Sequence, residues 1–268
     1  MSGFSAEWLG LREAADHRAR DGGLMEALAA HFAGRGAVRV VDLGCGTGSN
    51  LRALAPVLPA RQHWRLVDHD AALLEAARGQ IAAWSEGAGI PGLTVEFEIA
   101  DLRDDLGRAL AGEADLVTAA ALFDLVSAEW IDRFAALLAR RPCAFHTVLI
   151  YNGEMRWRPA HSADAAIAAA FNAHQRLDKG FGPAAGPDAP RILAEKLQAA
   201  GYRVTAAPSP WRLTGEDRPL IAAVSDGIAQ AARETGHLAE TEIAAGLATR
   251  GALTACEIGH VDLLALPR

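Results

Sequence analysis

Cysteine is scarce. The three present, Cys45, Cys143 and Cys256, are odd in number and far apart. No C-x-x-C pair occurs, which excludes a disulfide framework and a zinc ribbon. Free thiols suit a reducing compartment, so a cytoplasmic location is expected. No apolar run reaches the roughly 18 residues of a membrane span. The start, Met1 to Glu7, lacks the basic-then-apolar pattern of a secretion signal. Positive charge is in deficit, with 26 Lys and Arg against 33 Asp and Glu, a net charge of −7. That argues against a general nucleic-acid surface, leaving only a local basic groove open. No Gly-Lys-Ser/Thr triplet occurs, which excludes a P-loop. The nine histidines show no paired spacing, so no metal is expected.

What is present describes a folded enzyme-sized chain. The 268 residues are 51% hydrophobic and 22% charged, ordinary values for a globular protein. Residues 5–33 read as two short helices broken at Gly22-Gly23, with Leu24, Leu28 and Phe32 at helical spacing. Short apolar strands then alternate with helices. Strands are expected at Val38–Leu43, Trp64–Asp68, Thr94–Ile99, Asp115–Ala120 and Cys143–Tyr151. Five strands separated by helices imply right-handed crossovers and a doubly wound, mostly parallel sheet. Late strands from Tyr202 and over Ala252–Leu266, with two helices between, bring the expected sheet to seven. Residues 152–190 break the pattern with an Ala-rich helix and a Gly/Pro-rich loop, Lys179 to Pro187. They are expected to form a helical insertion over the ligand edge. A single α/β domain over 1–268 results: N-terminal helical lid 1–36, cofactor core 37–151, substrate-side insertion 152–190, and the C-terminal part of the sheet 191–268.

The turn Asp42-Leu43-Gly44-Cys45-Gly46-Thr47-Gly48 joins the first strand to the first crossover helix. Glycines there let the backbone bend tightly and approach a ligand. Ligands of such sheets bind at the carboxyl ends of the strands. The spacing is G-x-G-x-G. The dinucleotide fingerprint G-x-G-x-x-G would need glycine where Ser49 stands. A nucleoside ligand without phosphates fits better. Asp42 is suited to an ammonium group, Asp68 to ribose hydroxyls, and Asp101, after the third strand, to an adenine amino group.

These segments resemble the class I S-adenosylmethionine-dependent methyltransferases. Val40 to Gly48 is similar to that family's first motif, and Leu66 to Asp70 with Leu73 to Arg78 to its second. Ala100-Asp101-Leu102 resembles the adenine motif, and Ala114 to Thr118 the fourth strand. The resemblance covers about residues 38–151. It implies S-adenosylmethionine as cofactor. Gly44 and Gly46, with Cys45 between them, would lie against the methionine part and Asp42 near its amino group. Asp68 would hold both ribose hydroxyls. His69 and Leu102 would flank the adenine, Asp101 would bind its amino group, and Ala119 would line the site from the fourth strand.

Methyl transfer needs no fixed catalytic motif, because the sulfonium already activates the methyl group. The protein mainly positions the acceptor. The fourth strand exits through Ala119 to Asp124 without an Asn/Asp-Pro-Pro-Tyr-like loop, against DNA amino-methylation and glutamine methylation. Candidate substrate residues are Tyr151, Asn152, Arg156, Asn172, Arg176 and Trp211. The cations in 152–190 suggest an acidic small molecule, bound for methylation at oxygen or nitrogen. His146 and His260, in strands, read as buried and hydrogen-bonded. The alternatives are an RNA or protein methyltransferase and a non-catalytic S-adenosylmethionine binder. A nicotinamide oxidoreductase is disfavoured by the glycine spacing.

Overall fold

The computed structural model describes residues 4–141, 143–249 and 255–268. Helices α1 (Ala6–Ala19) and α2 (Gly22–Phe32) come first. Ser5 caps α1 by accepting from the Trp8 backbone N–H at 3.1 Å, and Asp21 caps α2 by accepting from Leu24 at 2.8 Å. The break therefore falls at Arg20-Asp21, and the glycine pair lies in the first turn of α2.

Then follow β1 (Val38–Leu43), α3 (Ser49–Leu54), β2 (Arg61–Asp68), α4 (Ala71–Ala88), β3 (Gly92–Ile99), α5 (Leu106–Ala109), β4 (Leu116–Ala120), α6 (Ala128–Leu138) and β5 (Ala144–Arg158). The chain ends with α7 (Asp164–Gln175), α8 (Ala189–Ala199), β6 (Tyr202–Pro208), β7 (Trp211–Thr214), α9 (Arg218–Thr235), α10 (Glu240–Ala248) and β8 (Ala255–Pro267). The expected start of the last strand at Ala252 lies outside the described residues.

The sheet runs β3-β2-β1-β4-β5-β8-β6, with β1 to β5 mutually parallel and β8 antiparallel to both neighbours. Alternation along the strands divides the core. Val41, Leu43, Val117 and Ala119 face the layer of α5, α6 and α8. Val38, Val40, Leu116 and Leu264 face α2, α3 and α4. Trp64, Trp130, Phe123, Phe134 and Phe145 are fully enclosed. Burying such side chains contributes roughly 1.5–3 kcal/mol each.

Three expectations about the second half are corrected. The sheet has eight strands rather than seven, because Trp211–Thr214 forms the short strand β7 paired with β8. β5 does not end at Tyr151. It continues to Arg158 beside β8, with irregularities between Thr147 and Ile150 and between Tyr151 and Met155. Residues 152–158 are thus sheet, and the distal ends of β5, β7 and β8 form an antiparallel extension. Its core, with Trp157, Ile167, Trp211, Ile221 and Ile258, packs against α7 and α9. Finally, the helical insertion starts only after Arg158, and the end of its Gly/Pro-rich loop is fastened down. Ala185 N–H donates to the Val126 carbonyl at 2.8 Å and Gly186 N–H to the Asp124 carbonyl at 3.0 Å. These bonds stitch the loop to the exit of β4.

The first irregularity of β5 places Leu149 at φ 60°, a left-handed conformation costly for a branched residue. Asp262 of β8 holds it there. Its Oδ1 accepts from Leu149 N–H at 2.9 Å and from the Ser209 hydroxyl at 2.5 Å, and its Oδ2 accepts from Asp21 N–H at 3.0 Å. Asp262→Ala leaves these donors unpaired around a residue only 1% exposed. The expected loss is about 2–4 kcal/mol of stability by urea denaturation at pH 7. An unchanged midpoint would mean that strand pairing alone holds the bend.

Candidate active site

The carboxyl ends of β1, β2 and β4 meet at the glycine turn. Gly44, Gly46 and Gly48 have φ of 64°, 53° and 78°. A Cβ on Gly46 would lie 2.9 Å from Leu9 Cδ1 of α1, so backbone and helix approach closely only because the side chain is absent. Cys45 N–H donates to the Val67 carbonyl at 3.1 Å, tying the turn to β2. At the end of β2, Asp68 is 6% exposed. Its Oδ2 accepts from Gly46 N–H at 2.9 Å and its Oδ1 from Asp70 N–H at 3.0 Å. Each oxygen keeps a lone pair for a further donor.

Asp42 is wholly buried. Its Oδ1 accepts from Asn50 Nδ2 at 2.8 Å, and Oδ2 has no partner among the described residues. Asn50 also donates to Thr118 Oγ1 at 3.0 Å and accepts from Arg20 Nη2 at 2.9 Å. Burial pushes the Asp42 carboxyl up to about 7, against the opposing pull of the Asn50 bond and the Arg20 guanidinium. Sequence reasoning passed over Asn50 and Arg20. Asn50 could have been found, because it sits one residue into α3 beside the turn.

α1 lies across this turn. Glu13 pairs with Arg52 at 2.8 and 2.7 Å, and His17 Nε2 lies 2.9 Å from Ser49 Oγ. On the other flank, Leu102 is buried and its carbonyl accepts from Trp130 Nε1 at 2.8 Å. His69 is exposed, with Nδ1 3.3 Å from Asp68 Oδ1. Asp101 is engaged by Arg103 through both carboxylate oxygens, which holds its carboxyl below the usual range. A ligand amino group there would share that carboxylate with Arg103. Ala119 is fully buried beneath the turn.

The six substrate candidates do not form one cluster. Tyr151 and Asn172 meet, the phenol donating to Asn172 Oδ1 at 2.7 Å while Asn172 donates to the Gly153 carbonyl. Trp211 is buried and donates from Nε1 to Asp16 Oδ1 at 2.9 Å. Asn152 is used locally, accepting from Glu154 N–H. Arg156 is exposed and pairs with Glu257 at 2.6 Å, while Arg176 pairs with Asp188 at 2.9 Å. The guanidinium groups expected to hold an acidic substrate are thus committed to neighbouring carboxylates. Like-strand pairing brings Arg156 opposite Glu257, a register invisible before β5 is known to run on.

Instead, the structure gathers a buried polar group around Tyr151 and Trp211. Arg12 lies over the Trp211 ring at 4.9 Å and pairs with Asp16 at 2.9 Å. His260 is edge-on to Trp211 at 5.1 Å and to Tyr151 at 6.3 Å. Asp124, after β4, is 6% exposed and faces Arg12 and the Tyr151 backbone N–H. Burial pushes its carboxyl up to about 6 and the His260 imidazole down to about 3. Asp124 Oδ1 and His260 Nδ1 have no partner among the described residues. The expectation that His146 and His260 are buried holds. Hydrogen bonding does not follow for His146, whose two ring nitrogens have no partner there either. A separate groove lined by Arg39, His63, Arg65, Glu96 and Glu113 lies toward the amino ends of the strands and is crossed by ion pairs, away from this chemistry.

Residues 40–141 match the family model for a methyltransferase domain. That segment, which carries the glycine turn, Asp68 and Asp101, is similar to methyltransferase domains. The fold is similar to that of YcgJ from Bacillus subtilis, with a TM-score of 0.53, 14% identity, and coverage of 92% of this chain and 99% of that one. A methyltransferase candidate from Bacillus halodurans gives 0.52, 15%, 92% and 100%. No curated protein matches the sequence. Among the described residues, no helix is long and apolar enough to cross a membrane, and no cluster of His, Cys, Asp and Glu is arranged to hold a metal.

The buried Asp42 has a thermodynamic signature. Its native pKa is above the unfolded value near 4, so the native state keeps a proton that the unfolded chain has released. Its contribution to stability is therefore full below pH 4 and lost as pH rises toward about 7. The stability difference between the parent and Asp42→Asn, from denaturation at several pH values without ligand, should shift against the parent over that window. A constant difference would show that Asp42 is ionised throughout.

Proposed function

We propose that this methyltransferase acts on an oxygen or nitrogen of a small molecule, with the cofactor held at the glycine turn. The observation that carries the reading is the cradle itself: three left-handed glycines, the Asp68 carboxylate on Gly46 N–H, and the unpartnered Asp42 Oδ2 behind them. Bound there, S-adenosylmethionine supplies a methyl group already activated by its sulfonium. Asp68 accepts from the ribose hydroxyls with its remaining lone pairs. The backbone of Gly44, Cys45 and Gly46 carries the amino-acid part, and Asp42, ordered by Asn50, offers negative charge to its ammonium group. Leu102 and His69 flank the adenine, Asp101 accepts from its amino group, and Ala119 forms the floor.

α1 then acts as the cover. Leu9 sits over Gly46, and the Glu13–Arg52 and His17–Ser49 contacts fasten the helix beside the turn. A covered site excludes water and holds an acceptor near the methyl carbon, which alone lowers a barrier by several kcal/mol. Such enclosure, with a net charge of −7, supports a small acceptor over RNA or a protein segment.

S-adenosylhomocysteine is expected to bind at micromolar affinity in a calorimetric titration. Asp68→Ala should weaken binding by about 1.5–3 kcal/mol, and Asp68→Asn by less, because it keeps one acceptor oxygen. Folded protein that binds NAD and not S-adenosylhomocysteine would overturn the reading.

A further inference from the structure

The strongest unexplained feature lies where α1, the exit of β4, and strands β5, β7 and β8 converge. Asp124 and His260 are each 6% exposed, and each presents one atom without a partner among the described residues, Oδ1 and Nδ1. The Asp124 carboxylate oxygen, an acceptor, therefore has nothing to accept from among the described residues. Buried polar atoms are ordinarily paired, so a donor is missing. The surroundings are aromatic: Tyr151 and Trp211 flank His260, and Trp8 packs against the same cluster with its own Nε1 unpartnered.

The group adjoins the glycine turn on two sides. Leu122, two residues before Asp124, lies 3.6 Å from where a Gly44 Cβ would be, and Leu9, one turn before Arg12, lies against Gly46. The chain is bent here against its preference. Ala121 has φ 51°, and its N–H donates to the Val148 carbonyl at 3.0 Å, next to the left-handed Leu149.

We propose that this is the acceptor subsite, that it takes a small aromatic molecule bearing a hydroxyl or amino group, and that Asp124 Oδ1 receives the donor's hydrogen. The proposal rests on the methyl-transfer reading above. Arg12 does not compete for this role. Its guanidinium is spent on Asp16 and stacked on Trp211, so it holds the wall and keeps a counter-charge near Asp124. During transfer the acceptor oxygen or nitrogen forms its bond to the methyl carbon and releases its proton to Asp124. The electron pair of the broken carbon–sulfur bond stays on sulfur, which becomes a neutral thioether. No other reactant is required. A fully ionised carboxylate substrate would bring no donor and would meet Asp124 with like charge.

Phenol and anisole are suitable probes, because they differ only in the donor. Each is titrated against the full chain saturated with S-adenosylhomocysteine, following tryptophan fluorescence. Phenol should bind about ten- to a hundredfold more tightly than anisole. Asp124→Ala should abolish that preference. Asp124→Asn keeps an oxygen that accepts a hydrogen bond but takes no proton, so it should retain phenol binding within about threefold while anisole formation from phenol and S-adenosylmethionine falls at least a hundredfold. Both variants should bind S-adenosylhomocysteine as the parent does, which also reports that they are folded. Equal affinity for phenol and anisole in the parent, an unchanged preference in Asp124→Ala, no anisole formed by the parent, or full turnover by Asp124→Asn would each overturn the assignment. Loss of S-adenosylhomocysteine binding by the parent would instead overturn the methyl-transfer reading, and phenol binding to the free protein would then still read out this subsite.

Discussion

Asp42 ends β1 with a carboxylate that no water reaches, and placing it there is the constraint around which the ligand end is arranged. Removing an ionised group from water is costly unless partners replace the lost solvation. Asn50 and Arg20 supply part of that replacement, and they come from α3 and from the junction of α1 with α2. Strand register contributes as well. Asp42 lies opposite Thr118 on β4, and Thr118 opposite His146 on β5, so one polar row crosses the same face of three strands. The row is incompletely paired: Asp42 Oδ2, both His146 nitrogens, and Nε and Nη1 of Arg20 have no partners among the described residues. A network left short in a low-dielectric interior responds strongly to any group that completes it. That is a reason for the glycine turn to sit in front of Asp42 rather than beside an apolar strand end.

The same economy of position explains the N-terminal helices. α1 buries little apolar surface against the doubly wound core. It is fixed by charge: Glu13 to Arg52, His17 to Ser49, Arg20 to Asn50, and Asp16 to Trp211. Partly buried charged hydrogen bonds of this kind are individually worth more than exposed ion pairs, yet they break without opening a hydrophobic core. Contacts of this kind hold α1 beside the turn without tying it into the apolar core.

The parallel half of the fold was legible because its signals are local. Apolar strands alternate with helices, and the glycine turn, Asp68 and Asp101 stand at strand ends in sequence order. The antiparallel half was not. β5 leaves the apolar pattern after Tyr151, where Asn152-Gly153-Glu154 reads as a break. The strand continues because β8 pairs with it, which is a property of residues about a hundred positions away. The same blindness misassigned the cations. Arg156 and Arg176 looked available because their carboxylates, Glu257 and Asp188, become neighbours only in the folded sheet and loop. Tyr151, Asn172 and Trp211 were chosen on residue type, and the structure brings the first two into contact.

The ligand end is therefore specified twice, by different kinds of information. The cofactor side is built from one continuous stretch of chain, so its residues can be read in order. The opposite side is assembled across great sequence distance: Asp16 meets Trp211 at a separation of 195 residues, and Asp21 meets Asp262 at 241. Long-range contacts carry a loop-closure cost that must be recovered by tertiary packing. Here, the long β5–β8 pairing draws the two ends of the chain together. The left-handed Leu149 is held by Asp262 within that pairing, and Ala121 hydrogen-bonds to Val148 beside it. The strain thus lies where the parallel sheet, which shapes the cofactor side, passes into the antiparallel extension. A change in that extension alters what faces the glycine turn while leaving the turn itself intact, so the two sides of the ligand end can vary independently.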